Sequence, residues 1–338
     1  MIYLIHPEQK QYKANLHAHT VISDGKKTPE ELKTMYKAHG YSVLSITDHE
    51  TPRKHTDLTD EEFIAITGYE TYIRRTEDCR YDVYGPEIHM NLFARDPDNE
   101  AIVCYNPRYC KYITQEQKDA LVKVGSQETR QYSVEYINRY IATAKENGYI
   151  VAYNHPWWSM EKEEDILAYE GFFSMEMCNF GAHQLSCLEY NGALYDKMLC
   201  AGKRIACHSA DDNHNARPLD DPLQDSFGGF AMIMPTEFTY GAIIDAMEKG
   251  NMYSSMGPTF KEVSMEGNKI HIECSDVERI TVFTGSKSPK RIAAQPGDTV
   301  NTADFEIDDR AKYVRVSIMD SHGKFADTRG FFRDELEF

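Results

Sequence analysis

The stretch ANLHAHTVISDGKKTPEELKTMYKAHGYSVLSITDHE, residues 14–50, holds one complete structural unit and the start of a polar constellation. In an extended segment alternate side chains share a face, so His17 and His19 point one way while Leu16 and Ala18 point the other. In a helix, residues two apart do not face each other. The strand reading therefore presents two imidazoles side by side at a strand end. Residues 28–40 predict a helix: Thr28 is the N-cap, Pro29 lies in the first turn, Glu31 closes a capping box and Gly40 marks the stop. Residues 41–50 form the short apolar run expected of a buried parallel strand, and they end in Asp48 and His49.

This alternation continues along the chain. EFIAITGYE (62–70) and EIHMNLFA (87–94) repeat the strand signature, and SVEYINRYIATAKENG (133–148) predicts an amphipathic helix. The strand YIVAYNHP (149–156), the segment FFSMEMCN (172–179), the helix LEYNGALYDKMLCAG (188–202) and the strand RIACHSADD (204–212) follow. GGFAMIM (228–234), the helix FTYGAIIDAMEKG (238–250) and NMYSSMGP (251–258) complete it. Such units imply an α/β fold on a parallel sheet, open or closed into a barrel. Beyond Gly257-Pro258, strand-like segments at 269–275, 279–285, 304–309 and 312–320 are separated by turn signals, without a clear helix. The expected division is a domain over 1–257 and an antiparallel β domain over 258–338. An irregular insertion spans about 96–130; loops of that length are usually functional or disordered.

Composition limits the function classes. The chain has 338 residues, 41% hydrophobic and 27% charged, with a formal charge of −17. That charge argues against dependence on a nucleic-acid backbone, though not against a local basic pocket. No apolar run approaches the roughly 18 residues of a membrane helix, and MIYLIHPEQK lacks the features of a signal peptide. The eight cysteines are scattered without a CxxC pair. The expectation is a reduced cytoplasmic protein acting on a small molecule, with no nucleic-acid or membrane partner and with a homo-oligomer left open.

Ligand-type residues recur where strands end: His17, His19 and Asp24; Asp48 and His49; Glu70; His89; His155; Asp212 and His214. In parallel α/β barrels, that rim carries the active site. A single histidine of this kind is more simply a structural residue with a hydrogen-bond partner. Six histidines together with Asp24, Glu70 and Asp212 at successive strand ends need another explanation. Imidazole and carboxylate without thiolate suit Zn, Mn or Fe.

The segments NLHAHTVISDG, SITDHE, GYE, NHP and DDNH resemble the successive motifs of the PHP (polymerase and histidinol phosphatase) family of metal-dependent phosphoesterases, over roughly residues 12–257. ALYDKMLCAGKRIACHSADDNH, AIIDAMEKGNMYSSMGP and KYVRVSIMDSHGK are similar to the branch that includes carbaryl hydrolases. Many relatives have small residues where this chain has His208 and Asp211, and both are read as structural. The resemblance implies a distorted seven-stranded barrel of the PHP type holding two or three divalent metal ions. His17, His19, Glu70 and Asp212 would hold one ion, and Glu70 would bridge to a second ion held by His89 and His155. Asp24, His49 and His214 would hold a third. With all nine positions occupied, three ions are favoured over two. Asp48 would orient an imidazole, or make a plain strand-end hydrogen bond.

Three ligand carboxylates, three divalent ions and one hydroxide leave about +2 in the pocket, which suits a phosphate. The expected reaction is phosphoester hydrolysis of a small phosphorylated molecule by a metal-bound hydroxide. Glu70, Asp212, His214 and Asp48 form the expected catalytic set, with Arg217 binding substrate. Carbamate, ester or amide hydrolysis by the same cluster is the alternative, and a non-catalytic metal-dependent binding module is a second one. Arg74 and Arg75 are further phosphate-clamp candidates, with surface solvation as the plainer reading. Trp157 and Trp158 could wall a pocket or simply pack. The Tyr-rich stretch 105–112 is a lid or a surface loop. His6, His39, His55, His183, His271 and His322 lie outside the pattern.

Overall fold

A computed structural model describes residues 1–75 and 81–336. The chain opens with β1 (Ile2–Ile5) and β2 (Tyr12–Asn15), then α1 (Pro29–Ala38) and β3 (Val43–Ile46). The α1 capping box forms as expected: Glu31 N donates to Thr28 Oγ1 at 3.2 Å and Thr28 N donates to Glu31 Oε2 at 2.9 Å. Next come β4 (Ile64–Arg74) and β5 (Glu87–Ala94), followed by the short pair β6 (Ile102–Val103) and β7 (Lys123–Val124) around α2 (Gln115–Ala120). The alternation resumes with α3 (Val134–Glu146), β8 (Tyr149–Tyr153), α4 (Glu163–Ala168), β9 (Ser174–Asn179), α5 (Phe180–Ser186), α6 (Gly192–Cys200) and β10 (Ala206–Ala210). Then follow β11 (Phe230–Ile233), α7 (Tyr240–Glu248) and β12 (Met252–Ser255). The remainder is β13 (Phe260–Glu266), β14 (Lys269–Val277), β15 (Arg279–Phe283), β16 (Lys290–Ala293), β17 (Val300–Glu306), β18 (Tyr313–Met319), β19 (Phe325–Thr328) and β20 (Phe331–Phe332).

One large sheet runs β10-β9-β8-β5-β4-β3-β2-β11-β12 and continues into β19-β18-β15-β16. A second sheet runs β1-β13-β14-β17, so the N-terminal strand pairs with chain from the far end of the sequence. The protein is thus mixed α/β with large sheets.

The expected all-parallel sheet is corrected at β5, which is antiparallel to both β4 and β8. A parallel return needs a long crossover, usually helical, whereas a direct return reverses direction. β4 also continues past Glu70 to Arg74. These two changes agree: His89, near the start of β5, reaches the rim that its neighbours reach near their ends. β11 is likewise antiparallel to β2 and β12. The seven strands from β10 to β2 form a continuous run, but among the described residues no ladder closes it. Past the two strand ends, Asp212 N donates to His17 O at 2.9 Å and His19 N donates to Asn213 O at 3.0 Å.

β4 and β5 are buried along almost their whole length, which explains their uninterrupted apolar reading. On α3, Tyr136, Ile137, Tyr140, Ile141 and Ala144 form the buried stripe. Each such large apolar side chain contributes about 1.5–3 kcal/mol on burial. No helix among the described residues is long and apolar enough to cross a membrane.

Candidate metal centre

His17 and His19 lie just past β2, with their Nε2 atoms 3.2 Å apart and both side chains buried. His17 Nε2 is 3.2 Å from Glu70 Oε1 and 3.2 Å from Asp212 Oδ1, while His19 Nε2 is 2.9 Å from Asp212 Oδ1. Glu70 occupies the middle: its Oε1 is 3.0 Å from His89 Nδ1 and 3.4 Å from His155 Nε2, and its Oε2 is 2.9 Å from His49 Nδ1. Asp24 lies 3.5 Å from both His49 Nε2 and His214 Nε2. The tertiary structure thus brings the nine residues into mutual contact: Asp24, His49, Glu70, His89, His155, Asp212 and His214 line one cavity of about 490 Å³, and the fully buried His17 and His19 touch it through Glu70 and Asp212.

Local backbone explains how. Gly25 is required in the loop carrying Asp24, because a Cβ there would lie 2.3 Å from His19 O. His155 and Asp212 have φ of 27° and 52°, the left-handed region that L residues rarely adopt. Such outliers cluster at functional sites, where surrounding contacts hold them in place.

Three groups have ligand atoms within 4.8 Å of one another: His19, Asp24, His49 and His214; His17, His19 and Asp212; and His49, Glu70 and His89. Among the described residues, His19 Nδ1, His49 Nδ1 and Asp212 Oδ1 are buried without a well-aligned hydrogen bond, although His49 Nδ1 lies 2.9 Å from Glu70 Oε2 and Asp212 Oδ1 lies 2.9 Å from His19 Nε2. Unpaired buried lone pairs are costly, and a cation would satisfy them. The donor set of imidazole and carboxylate fits a divalent ion. The grouping differs from the expected one: His19 and His49 each belong to two clusters, Glu70 groups with His49 and His89 rather than with His17 and His19, and His155 falls in none of the three.

The electrostatics point the same way. Burial disfavours a charged imidazole at His17, but Asp212, Glu70 and Glu176 outweigh it and raise its pKa well above the usual value. The same balance against burial lifts His89 to about 10, through Glu70 and Glu87, and His214 to about 9, through Asp24 and Asp212. His19 is lowered, by burial and by the neighbouring His214 and His49. At Glu70, burial opposes ionisation, yet His17, His89 and His49 hold the carboxyl well below the ordinary range.

Asp48 makes the hydrogen bonds of its plainer reading. Its carboxylate accepts hydrogen bonds from Thr20 N at 2.8 Å, Thr20 Oγ1 at 2.6 Å and Ser23 Oγ at 2.5 Å. It shapes the loop that carries Asp24. Arg217 lines the cavity rim, about half exposed, with Nη1 3.3 Å from Asp221. Arg74 is held by Glu87 and lines the cavity, whereas Arg75 is exposed away from it. Trp158 packs edge-on against His89 and His155, and Trp157 lines a separate cavity. Of the Tyr-rich stretch, Tyr105 and Tyr109 are buried, while Tyr112 donates to Asp24 Oδ2 at 3.2 Å and lines the cavity. His208 bonds Ser174, and Asp211 accepts from Gly228 N and Gly229 N.

Two supporting carboxylates escaped the sequence reading. Glu176 Oε1 lies 2.8 Å from His17 Nδ1, and Glu176 Oε2 accepts from His155 N at 2.7 Å. Glu87 Oε1 lies 2.9 Å from His89 Nε2. Partners on the far nitrogen of a ligating histidine fix its tautomer and orientation. Glu176, isolated in the apolar run of SMEMCN, was the available signal.

No protein-family model matches the chain, and no curated protein matches it. Among solved structures, it is similar to a two-domain protein from Bacteroides vulgatus containing a predicted PHP-like metal-dependent phosphoesterase, at 14% identity and a TM-score of 0.45, covering 96% of each chain. It is also similar to a protein from Bifidobacterium adolescentis proposed as a metal-dependent phosphoesterase, at 17% identity and a TM-score of 0.37, over 65% of this chain and 94% of that one. A third is an amidohydrolase from Chromobacterium violaceum, with bound sulfate and no metal, at 16% identity and a TM-score of 0.39, over 62% of this chain and 93% of that one. At these values, the metal centre rests on its own geometry.

Proposed function

We propose that this chain is a metal-dependent hydrolase of the PHP type, a phosphoesterase acting on a small phosphorylated molecule in the cytoplasm. The observation that carries this reading is the mutual contact of nine imidazole and carboxylate side chains, seven of them lining one cavity, with ligand-type atoms grouped within 4.8 Å of one another. His17, His19, Glu70 and Asp212 would hold one ion, Glu70 with His89 and His155 a second, and Asp24, His49 and His214 a third. Zn, Mn or Fe suits these donors. When bound, such ions acidify water and stabilise charge on attacking and leaving oxygens.

The chain's own residues do the rest. Glu176 and Glu87 hold His17 and His89 in one orientation. Trp158 and Tyr72 wall the cavity beside the imidazoles and limit water. Arg217 and Arg74 place positive charge at the rim, where an anionic group would enter. The fold is read as a distorted seven-stranded barrel over 1–257, sealed at its rim between His17–His19 and Asp212–Asn213, with a β domain over 258–338. Likeness to the carbaryl-hydrolase branch keeps carbamate and amide substrates in the test.

The test is elemental analysis of the purified chain, followed by a panel of phosphate monoesters, diesters and carbamates with Mn, Zn or Fe. More than one metal equivalent and preferential monoester cleavage are expected. Protein that is metal-free and takes up neither Mn nor Zn overturns the assignment.

A further inference from the structure

Arg130, at the end of the irregular segment 96–130, is fully buried and carries a cation to within one residue of the metal centre. Its guanidinium grips Glu50 with both arms, Nη1 to Oε1 at 2.6 Å and Nη2 to Oε2 at 2.8 Å. Nη1 also donates to Tyr72 O at 2.8 Å and to Thr71 Oγ1 at 3.1 Å. Glu50 in turn accepts from Thr71 Oγ1 at 2.7 Å, and its own N–H donates to Glu70 O at 2.8 Å. Glu50 directly follows His49; Thr71 and Tyr72 directly follow Glu70.

Arg130 therefore bridges the segment carrying His49, through Glu50, and the strand carrying Glu70, through Thr71 and Tyr72, while Glu50 also bonds that strand directly. Glu50 has φ of 51°, a conformation that a non-glycine residue keeps only when its surroundings over-determine it. The ring of Tyr72 lies 5.4 Å from His89 and 4.9 Å from Tyr109, and the Arg130 guanidinium lies 4.1 Å over Tyr109. Planar, bidentate geometry of this kind is specific to arginine, since lysine offers a point charge without the fork.

We propose that Arg130 is a positioning residue of the metal centre: through Glu50 it fixes the separation of His49 and Glu70, and so makes metal affinity depend on the docking of segment 96–130. This rests on the metal-hydrolase reading above. A buried ion pair can also be purely structural, and the chain supplies a comparison. Arg315 is as deeply buried, but its partners Asp196 and Asp327 adjoin none of the nine cluster residues along the chain, whereas Glu50 and Thr71 adjoin His49 and Glu70.

The experiment strips wild type, Arg130→Lys, Arg130→Met and Arg315→Met of metal, titrates each with Mn²⁺ by calorimetry and melts each in the stripped state. Wild type is expected to bind, both Arg130 variants to bind at least tenfold more weakly with Arg130→Lys the milder, and Arg315→Met to melt earlier with an unchanged isotherm. If Arg130→Met does not fold, Arg130→Lys decides. A wild-type isotherm for Arg130→Lys overturns the proposal, as does equal weakening in Arg315→Met. Wild type that binds no Mn²⁺ overturns the metal reading itself.

Discussion

Glu176 Oε1 lies 2.8 Å from His17 Nδ1, with both side chains fully buried, in a pair that links residues 159 positions apart. His17 Nε2 faces Glu70 and Asp212, so the carboxylate of Glu176, on Nδ1, leaves Nε2 for that pair. Glu176→Gln keeps the shape and removes the charge. Metal affinity should fall about 10- to 100-fold with the fold intact. Competition against a chelator measures it, and an unchanged affinity would show that His17 needs no such partner.

Glu70 contacts His17, His19, His49, His89 and His155, more of the cluster than any terminal ligand would. Glu70→Ala should lower kcat/KM at least a hundredfold, about 2.7 kcal/mol of transition-state stabilisation. Circular dichroism of the variant should stay near wild type, although metal loss can loosen a fold. Near-native turnover would remove Glu70 from the bridging role.

Metal uptake should release protons. With His89 lifted to about 10 and His214 to about 9, both are protonated in the metal-free protein at pH 7.5, and each must lose a proton to ligate. Affinity should therefore rise with pH toward that range, with at least two protons released per protein, since the pKa of His17 is raised as well. Calorimetry in buffers of different ionisation enthalpy reads this directly; heats independent of buffer would contradict it. The same sign governs stability. Both folded values are raised, so imidazolium pairing supports the metal-free fold fully below about pH 6.5, and that support fades as pH rises through 9 to 10. Metal-loaded protein should not show the loss.

Tyr112 joins the lid question to a measurement. It donates to Asp24 and its ring stacks at 6.2 Å on His49. Tyr112→Ala should raise KM several-fold for a small monoester with a smaller change in kcat, whereas Tyr112→Phe should stay within about threefold, a difference of under 1 kcal/mol. Equal KM values across the three proteins would make the segment a surface loop.

If three divalent ions bind as proposed, the resulting surplus of about two positive charges should favour a phosphate ester over a neutral carbamate. Matched substrates under identical metal loading should give a kcat/KM ratio on the phosphate side. A tenfold preference for the carbamate, about 1.4 kcal/mol, would reverse the order. Preferential cleavage of long single-stranded DNA would instead indicate a nuclease.

What could be read from the chain alone was local. The capping box of Thr28 and Glu31, the buried runs at Val43–Ile46 and Glu87–Ala94, and the stripe on α3 follow from periods of 3.6 and 2 that neighbouring residues impose on one another. The imidazoles and carboxylates were visible for the same reason, because strand ends can be located by where apolar runs stop. Direction and partnership were not visible. The reversal of β5 is set by its antiparallel pairing with β4 and β8, and the bonding of Asp48 to Thr20 and Ser23 depends on a loop folding back. Arg130 meets Glu50 across 80 positions and Glu176 meets His17 across 159. Those pairings carry no periodic signal, since burial of a charge is stabilised only by the one opposite group that the tertiary fold brings to it.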